Sequence, residues 1–256
     1  MNKRHLIIPD AQVKPGVATE HVDWAARAIV DYKPDTVVVI GDWWDFPSLN
    51  SHVEKGSAEL EGARFEEDLL VGNEAFKRLC APMEAEIARL ERNRRRRWKP
   101  RKVFLKGNHE DRADRVAKAE PRWEGVIGSH LCDTRDFGVH KYLDIVDIDG
   151  IAYSHYFQSA HSHHPIGGSI ENRLNKIGRS FVQGHQQGFL YGVKQFPGNI
   201  IRHGLVAGSF YLHDEGYRGP QGNGEWRGIV VLNEVRDGQY DIMPLSMDYL
   251  RRKYGI

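Results

Sequence analysis

Thr36-Val37-Val38-Val39-Ile40-Gly41-Asp42-Trp43-Trp44-Asp45 is the stretch on which the fold turns. From Thr36 to Ile40 the side chains are β-branched without interruption. A strand with one wet face would alternate, so this run reads as buried on both faces, the habit of a parallel strand. Gly41 frees the backbone to turn, and Asp42 opens a polar loop. Upstream, Arg4 to Ile8 is a short apolar run that ends in Asp10-Ala11-Gln12. Between the two runs, Val22, Ala25, Ala26, Ile29 and Val30 recur at helical spacing over Thr19 to Asp31. These segments predict a β-α-β unit. Downstream, a helical stretch from about Glu61 to Arg97, expected to break near Gly72 and Pro82, leads to a strand over Lys102 to Leu105 and then Gly107-Asn108-His109-Glu110.

The second half changes character. Leu143 to Ile148 and Ile151 to Ser154 flank Asp149-Gly150, a strong hairpin signal. Further short strands are expected at Ser180 to Gln183, Phe189 to Val193, Ile200 to Ala207, Gly228 to Glu234 and Tyr240 to Met243, with a second hairpin turn at Asp237-Gly238.

The 256 residues carry 36 Lys+Arg against 35 Asp+Glu, a net charge of +1, which excludes a globally basic nucleic-acid wrapper and an acidic tail protein. With 40% hydrophobic and 28% charged residues the composition is that of an ordinary globular domain. One domain over 1–256 is expected, with a helical insertion at about 58–99. No run approaches the roughly 20 apolar residues of a membrane span. The apolar run after Arg4 is too short for a signal peptide. Two cysteines, Cys80 and Cys132, make neither a disulfide framework nor a zinc cluster, and a cytoplasmic location is the expectation.

The polar residues cluster where strands end. Asp10 and Gln12 follow the first strand, Asp42 and Asp45 the second, and Asn108 and His109 the third. His155 follows the hairpin strand, and Gly184-His185-Gln186-Gln187 the next. Carboxyl ends of parallel strands are where open α/β sheets bind ligands, and Asp, Asn and His are metal-ligand chemistry.

In this order the motifs resemble those of the calcineurin-like metallophosphoesterase superfamily: D-x-H, G-D-x-x-D, G-N-H-[D/E], a lone H and G-H-x-H. The resemblance spans about residues 3–210. It implies an α/β fold built as a two-sheet β-sandwich flanked by helices, and metal-dependent hydrolysis of a phosphoester. It also implies two divalent cations, one held by Asp42, Asn108, His155 and His185, the other by Asp10, Gln12, Asp42 and Gln187. His109 matches the catalytic histidine, with Asp45 as its orienting acceptor. Positions 12 and 187 depart from the family pattern: both are glutamine where the family has histidine. Either their carbonyl oxygens make the first site hard and weak, or they hydrogen-bond elsewhere. One tight ion is expected, Mn²⁺ before Mg²⁺, Zn²⁺ or Fe.

Four further features bear on substrate. His161, His163 and His164 contact phosphate or form a solvated flap. Trp43 stacks a nucleobase or wedges against a helix. From Arg89 to Lys106 there are ten Lys/Arg against Glu91 alone, including Arg94 to Arg97. That run grips nucleic acid or is a solvated helix end. Phosphodiester hydrolysis, with nucleic acid as substrate, leads; a phosphomonoesterase and a metal-binding pseudoenzyme are the rivals.

Overall fold

The computed structural model describes residues 2–51, 60–95 and 97–255. Chain order runs β1 (Lys3–Ile8), α1 (Glu20–Tyr32), β2 (Thr36–Val39), α2 (Phe65–Arg92), β3 (Arg101–Leu105), α3 (Asn108–Ala119) and β4 (Gly138–His140). It continues through β5 (Val146–Ile148), β6 (Ile151–Ser154), α4 (Ile170–Ile177), β7 (Phe181–Gln183), β8 (Phe189–Phe196) and β9 (Ile200–Ala207). Last come α5 (Gly219–Asn223), β10 (Gly228–Arg236), β11 (Gln239–Ser246) and α6 (Met247–Tyr254). Two sheets form, in the orders β11-β10-β1-β2-β3-β4 and β5-β6-β7-β9-β8. Strands β1 to β4 are parallel, as are β6, β7 and β9.

The pleat explains the uninterrupted apolar runs. Leu6, Ile8, Val37 and Val39 face the helices α1, α2 and α6, while Ile7, Val38, Val103 and Leu105 face the second sheet. From that sheet Tyr153, Val182 and Leu205 meet them, and Val206 and Phe181 turn outward to Leu174 and Ile170 of α4. The result is a helix-flanked two-sheet sandwich, with each inner strand buried on both sides. Each fully buried Val, Leu or Ile contributes about 1.5–3 kcal/mol relative to exposure. Both Asp-Gly turns hold two residues in the left-handed region, at φ 53 and 83 for Asp149-Gly150 and φ 51 and 80 for Asp237-Gly238, as two-residue hairpins demand.

The expected helix break does not occur. Helix α2 runs through both Gly72 and Pro82. Gly72 is there for packing: a Cβ on it would lie 1.9 Å from Trp44 Cδ1, so the bare backbone lets α2 lie on the loop that carries Asp42. Phe76, Leu79 and Met83 of α2 share a core with α1, which makes α2 part of the helical layer. Positions 58, 59 and 96 of the expected insertion lie outside the described residues. No helix among the described residues is long and apolar enough to cross a membrane.

Candidate metal centre

The loops after β1, β2, β3, β6 and β7 meet at one end of the sandwich, and their backbones are pinned there. Asp42, Gln12, His185 and Gln187 all adopt positive φ, of 51, 42, 68 and 59. Each such residue costs about 1–2 kcal/mol without glycine, so the surroundings must over-determine it. Glu110 does much of this. Its buried carboxylate accepts the N–H groups of Asp42 (2.9 Å), Trp43 (2.7 Å), Trp44 (3.1 Å) and Gly107 (2.7 Å), tying the loop after β2 to the start of α3. The peptides of Ala11 and Gln12 donate to Asp42 O, and His185 N–H donates to Asp10 Oδ1.

The second cation site of the expected pair is assembled. Asp42, His155 and His185 offer ligand atoms within 4.8 Å of one another, and Asn108 Oδ1 lies 3.0 Å from His155 Nε2 and 2.8 Å from His185 Nδ1. His155 settles what this donor set requires. Its Nδ1 lies 2.8 Å from Ile40 O, an acceptor, so Nδ1 is a donor and Nε2 is the nitrogen left to take an ion or a second proton. That nitrogen faces Asp42 Oδ2 at 3.3 Å and Asn108 Oδ1 at 3.0 Å. Three electron-rich atoms turned inward in a buried site call for a cation or a second proton, and the residues fit a divalent ion. The electrostatics agree. Burial lowers the His155 pKa, but the charge and hydrogen bond of Asp42 outweigh it and raise it to about 9. His185 moves the other way, to about 4, through burial and the neighbouring His155, so it stands neutral with a lone pair to offer. Burial opposes ionisation of Asp42, yet His109 and His155 hold its carboxyl well below the usual range.

The first site is only partly formed. Asp10 Oδ2 and Gln12 Oε1 are buried with no hydrogen-bond partner among the described residues, an oxygen pair that also suits a hard cation. Burial, followed by the charge of Asp42, raises the Asp10 pKa to about 7. Gln187 does not join them. Its Oε1 accepts from Tyr211 Oη (2.8 Å) and Arg218 Nη1 (2.7 Å), and its Nε2 donates to Tyr217 Oη at 3.0 Å. Because a guanidinium can only donate, this amide orientation is fixed and the expected Gln187 ligand is withdrawn.

His109 sits between two carboxylates. Its Nδ1 lies 2.8 Å from Asp45 Oδ1 and 2.9 Å from Asp45 O, which leaves Nε2 turned toward Asp42, 3.8 Å from Oδ2. Burial lowers its pKa, and the charges of Asp42 and Asp45 overcome this and raise it to about 9. Asp45 also pairs with Lys14 at 3.0 Å, and Lys14 in turn donates to Glu215 at 2.6 Å. Asp42, Asn108, His109 and His185 open onto a cleft of about 1070 Å³.

No family model and no curated protein matches the chain. Forty-three chains among solved structures align with it. Yfce, a phosphoesterase from E. coli, is 12% identical, with 94% of this chain and 98% of that one covered at a TM-score of 0.40. TT1561 of Thermus thermophilus is 9% identical, with 95% and 99% covered at 0.36.

Other expectations are corrected. Trp43 is fully buried, its Nε1 donating to Gly72 O at 3.1 Å and its ring edge-on to Phe76, so it wedges against α2 and cannot reach substrate. His161, His163 and His164 are exposed and do not line the cleft. The exposed Arg94, Arg95 and Arg97 precede β3, whereas Asn108 follows it. At about 3.3 Å per strand residue the two ends of β3 lie roughly 13 Å apart, and the arginines lie beyond the far end. Sequence reasoning missed Glu110 as an anchor, although it closes Gly107-Asn108-His109-Glu110. It also missed Lys14, Tyr211, Tyr217 and Arg218, which no motif marks.

Proposed function

We propose that the chain is a metal-dependent phosphoesterase that hydrolyses phosphodiesters, with nucleic acid as its substrate. The observation that carries this reading is the inward-facing Nε2 of His155 among Asp42, Asn108 and His185, beside a His109–Asp45 pair that opens onto the same cleft. Asp42, Asn108, His155 and His185 would hold one divalent ion, with Asp10, Gln12 and Asp42 offering oxygens for a second. An ion bound there supplies Lewis acidity, offsetting phosphate charge and lowering the pKa of water. The protein does the rest. Asp45 holds His109 Nδ1–H, so that Nε2 presents the proton required by the departing oxygen. The negative charges of Asp42 and Asp45 favour that proton. Lys14, fixed between Asp45 and Glu215, keeps Asp45 from turning away. Mn²⁺ is the ion proposed, since the site mixes imidazole with oxygen donors.

A chromogenic diester and the matching monoester, assayed side by side with Mn²⁺, test the reaction class. The diester is expected to turn over faster. A monoester preference would make the chain a phosphatase, and no turnover of either would make it a binding module.

The basic run supports the nucleic-acid reading. Arg92, Arg94, Arg95, Arg97 and Lys99 are exposed and make no ion pair with any described residue, so their charges remain free for phosphates. Replacing Arg94, Arg95 and Arg97 with glutamine is expected to weaken nucleic-acid binding. It should also flatten its salt dependence by about 0.9 in the log–log slope for each duplex phosphate no longer neutralised. Turnover of the small diester should not change. Unchanged polymer affinity would reduce the run to a solvated helix end.

A further inference from the structure

Gln12 and Gln187 come from loops after different strands, yet both donate their amide N–H to one atom, Tyr217 Oη, at 3.2 and 3.0 Å. A phenolic oxygen has two lone pairs and one proton. With both lone pairs taken, the hydroxyl can act only as a donor, and its proton has no acceptor among the described residues. Tyr217 lines the same cleft as Asp42, Asn108, His109 and His185. We propose that Tyr217 is a substrate-binding residue whose hydroxyl, oriented by Gln12 and Gln187, donates to a non-bridging oxygen of the phosphate. The idea rests on the phosphoesterase reading and deepens it by assigning a ligand contact.

Three observations support it. The donor direction of the Gln187 amide is imposed, because Arg218 Nη1 and Tyr211 Oη hold its oxygen. The segment bearing Tyr217 is built rigidly. Glu215 and Asn223 exchange backbone–side-chain hydrogen bonds of 2.9 and 3.0 Å, Lys14 grips Glu215, and Arg218 Nη2 donates to Glu225 at 2.9 Å. The Tyr217 residue is also 70% exposed, so its ring gains little from the core, and its hydroxyl is the part the fold fixes. This accounts for both departures from the family pattern together. Two neutral amides serve one hydroxyl, and either alone would leave a lone pair open to accept instead of donate.

Tyr217→Phe removes only the hydroxyl. Calorimetric titration of inorganic phosphate into the Mn²⁺-loaded protein should show wild-type binding and a loss of about ten- to a hundredfold in the variant, the range for a hydrogen bond to a charged acceptor. Manganese content by mass spectrometry and the melting temperature should stay as in wild type, and KM for the diester should rise more than kcat falls. Unchanged phosphate affinity would overturn the proposal, as it would mean that Gln12 is turned and takes the proton. Loss of an ion along with phosphate would overturn it too, by making the hydroxyl part of a metal site. Phosphate binding is read without turnover, so a protein that binds phosphate through Tyr217 but cleaves no ester would sink the hydrolytic reading and leave this one standing.

Discussion

Replacing Asp42 with asparagine is expected to lower hydrolysis at least about 10³-fold and to reduce the bound metal. The shape survives such a change; the charge does not. Asp42 Oδ2 lies 3.3 Å from His155 Nε2 and 3.8 Å from His109 Nε2, and Oδ1 accepts His109 N–H at 3.0 Å. One carboxylate therefore sets the charge balance for a ligand and for the acid. Its loss removes an anionic ligand, worth several kcal/mol in transition-state charge stabilisation, at about 1.36 kcal/mol per factor of ten. It also removes the charge that raises the pKa of His155 and His109. Metal content by mass spectrometry and turnover of the diester should fall together while the circular dichroism spectrum holds. Near-native turnover with full metal content would overturn the site assignment.

What was legible in the sequence followed from periodicity and turn chemistry. Val37 to Ile40 is apolar on both pleat faces because helices and the second sheet cover it, and that double burial is what the unbroken run encodes. Asp149-Gly150 and Asp237-Gly238 could be read because few residues tolerate two successive positive φ values. Gly72 misled because its cause lies outside its helix, in the indole of Trp44. Helices α3, α4 and α6 went unread: α3 has a low apolar content, and the other two span only eight residues each.

The site divides along the same line. Strand ends placed Asp10, Asp42, Asn108, His155 and His185 together, since the chain must leave a parallel sheet there. Groups that reach the centre from far along the chain had no local signal. Tyr217 and Arg218 sit in a Gly-rich connection between β9 and β10, and nothing in their spacing points to Gln12, some 205 positions away. Glu110 was visible as a letter in a motif, but its use of four peptide N–H groups belongs to backbone geometry. Gln187 shows the limit of carrying a role over by position. The place in the chain corresponds, but Arg218 and Tyr211 turn its oxygen elsewhere.

Replacing His109 with glutamine should separate chemistry from metal binding. In the proposed site Asn108 would ligate and His109 would not: the Nδ1 of His109 is committed to Asp45, and its Nε2 is 3.8 Å from the nearer Asp42 oxygen. Metal content should therefore match wild type, while kcat for a diester with a poor leaving group should drop by about 10²–10⁴-fold, the usual span of general-acid catalysis. An ester whose leaving group departs as a stable anion needs no proton and should lose far less. The pH dependence follows from the sign of the shift. Without an ion His109 is raised to about 9, despite burial, by Asp42 and Asp45; an ion on Asp42 offsets part of that charge, so the loaded protein surrenders this proton on an alkaline limb at or below that value. Wild-type kcat on the poor leaving group should decline on this alkaline limb, and the limb should vanish in the variant. An equal loss on good and poor leaving groups, or an alkaline limb that persists without His109, would assign the proton to another group.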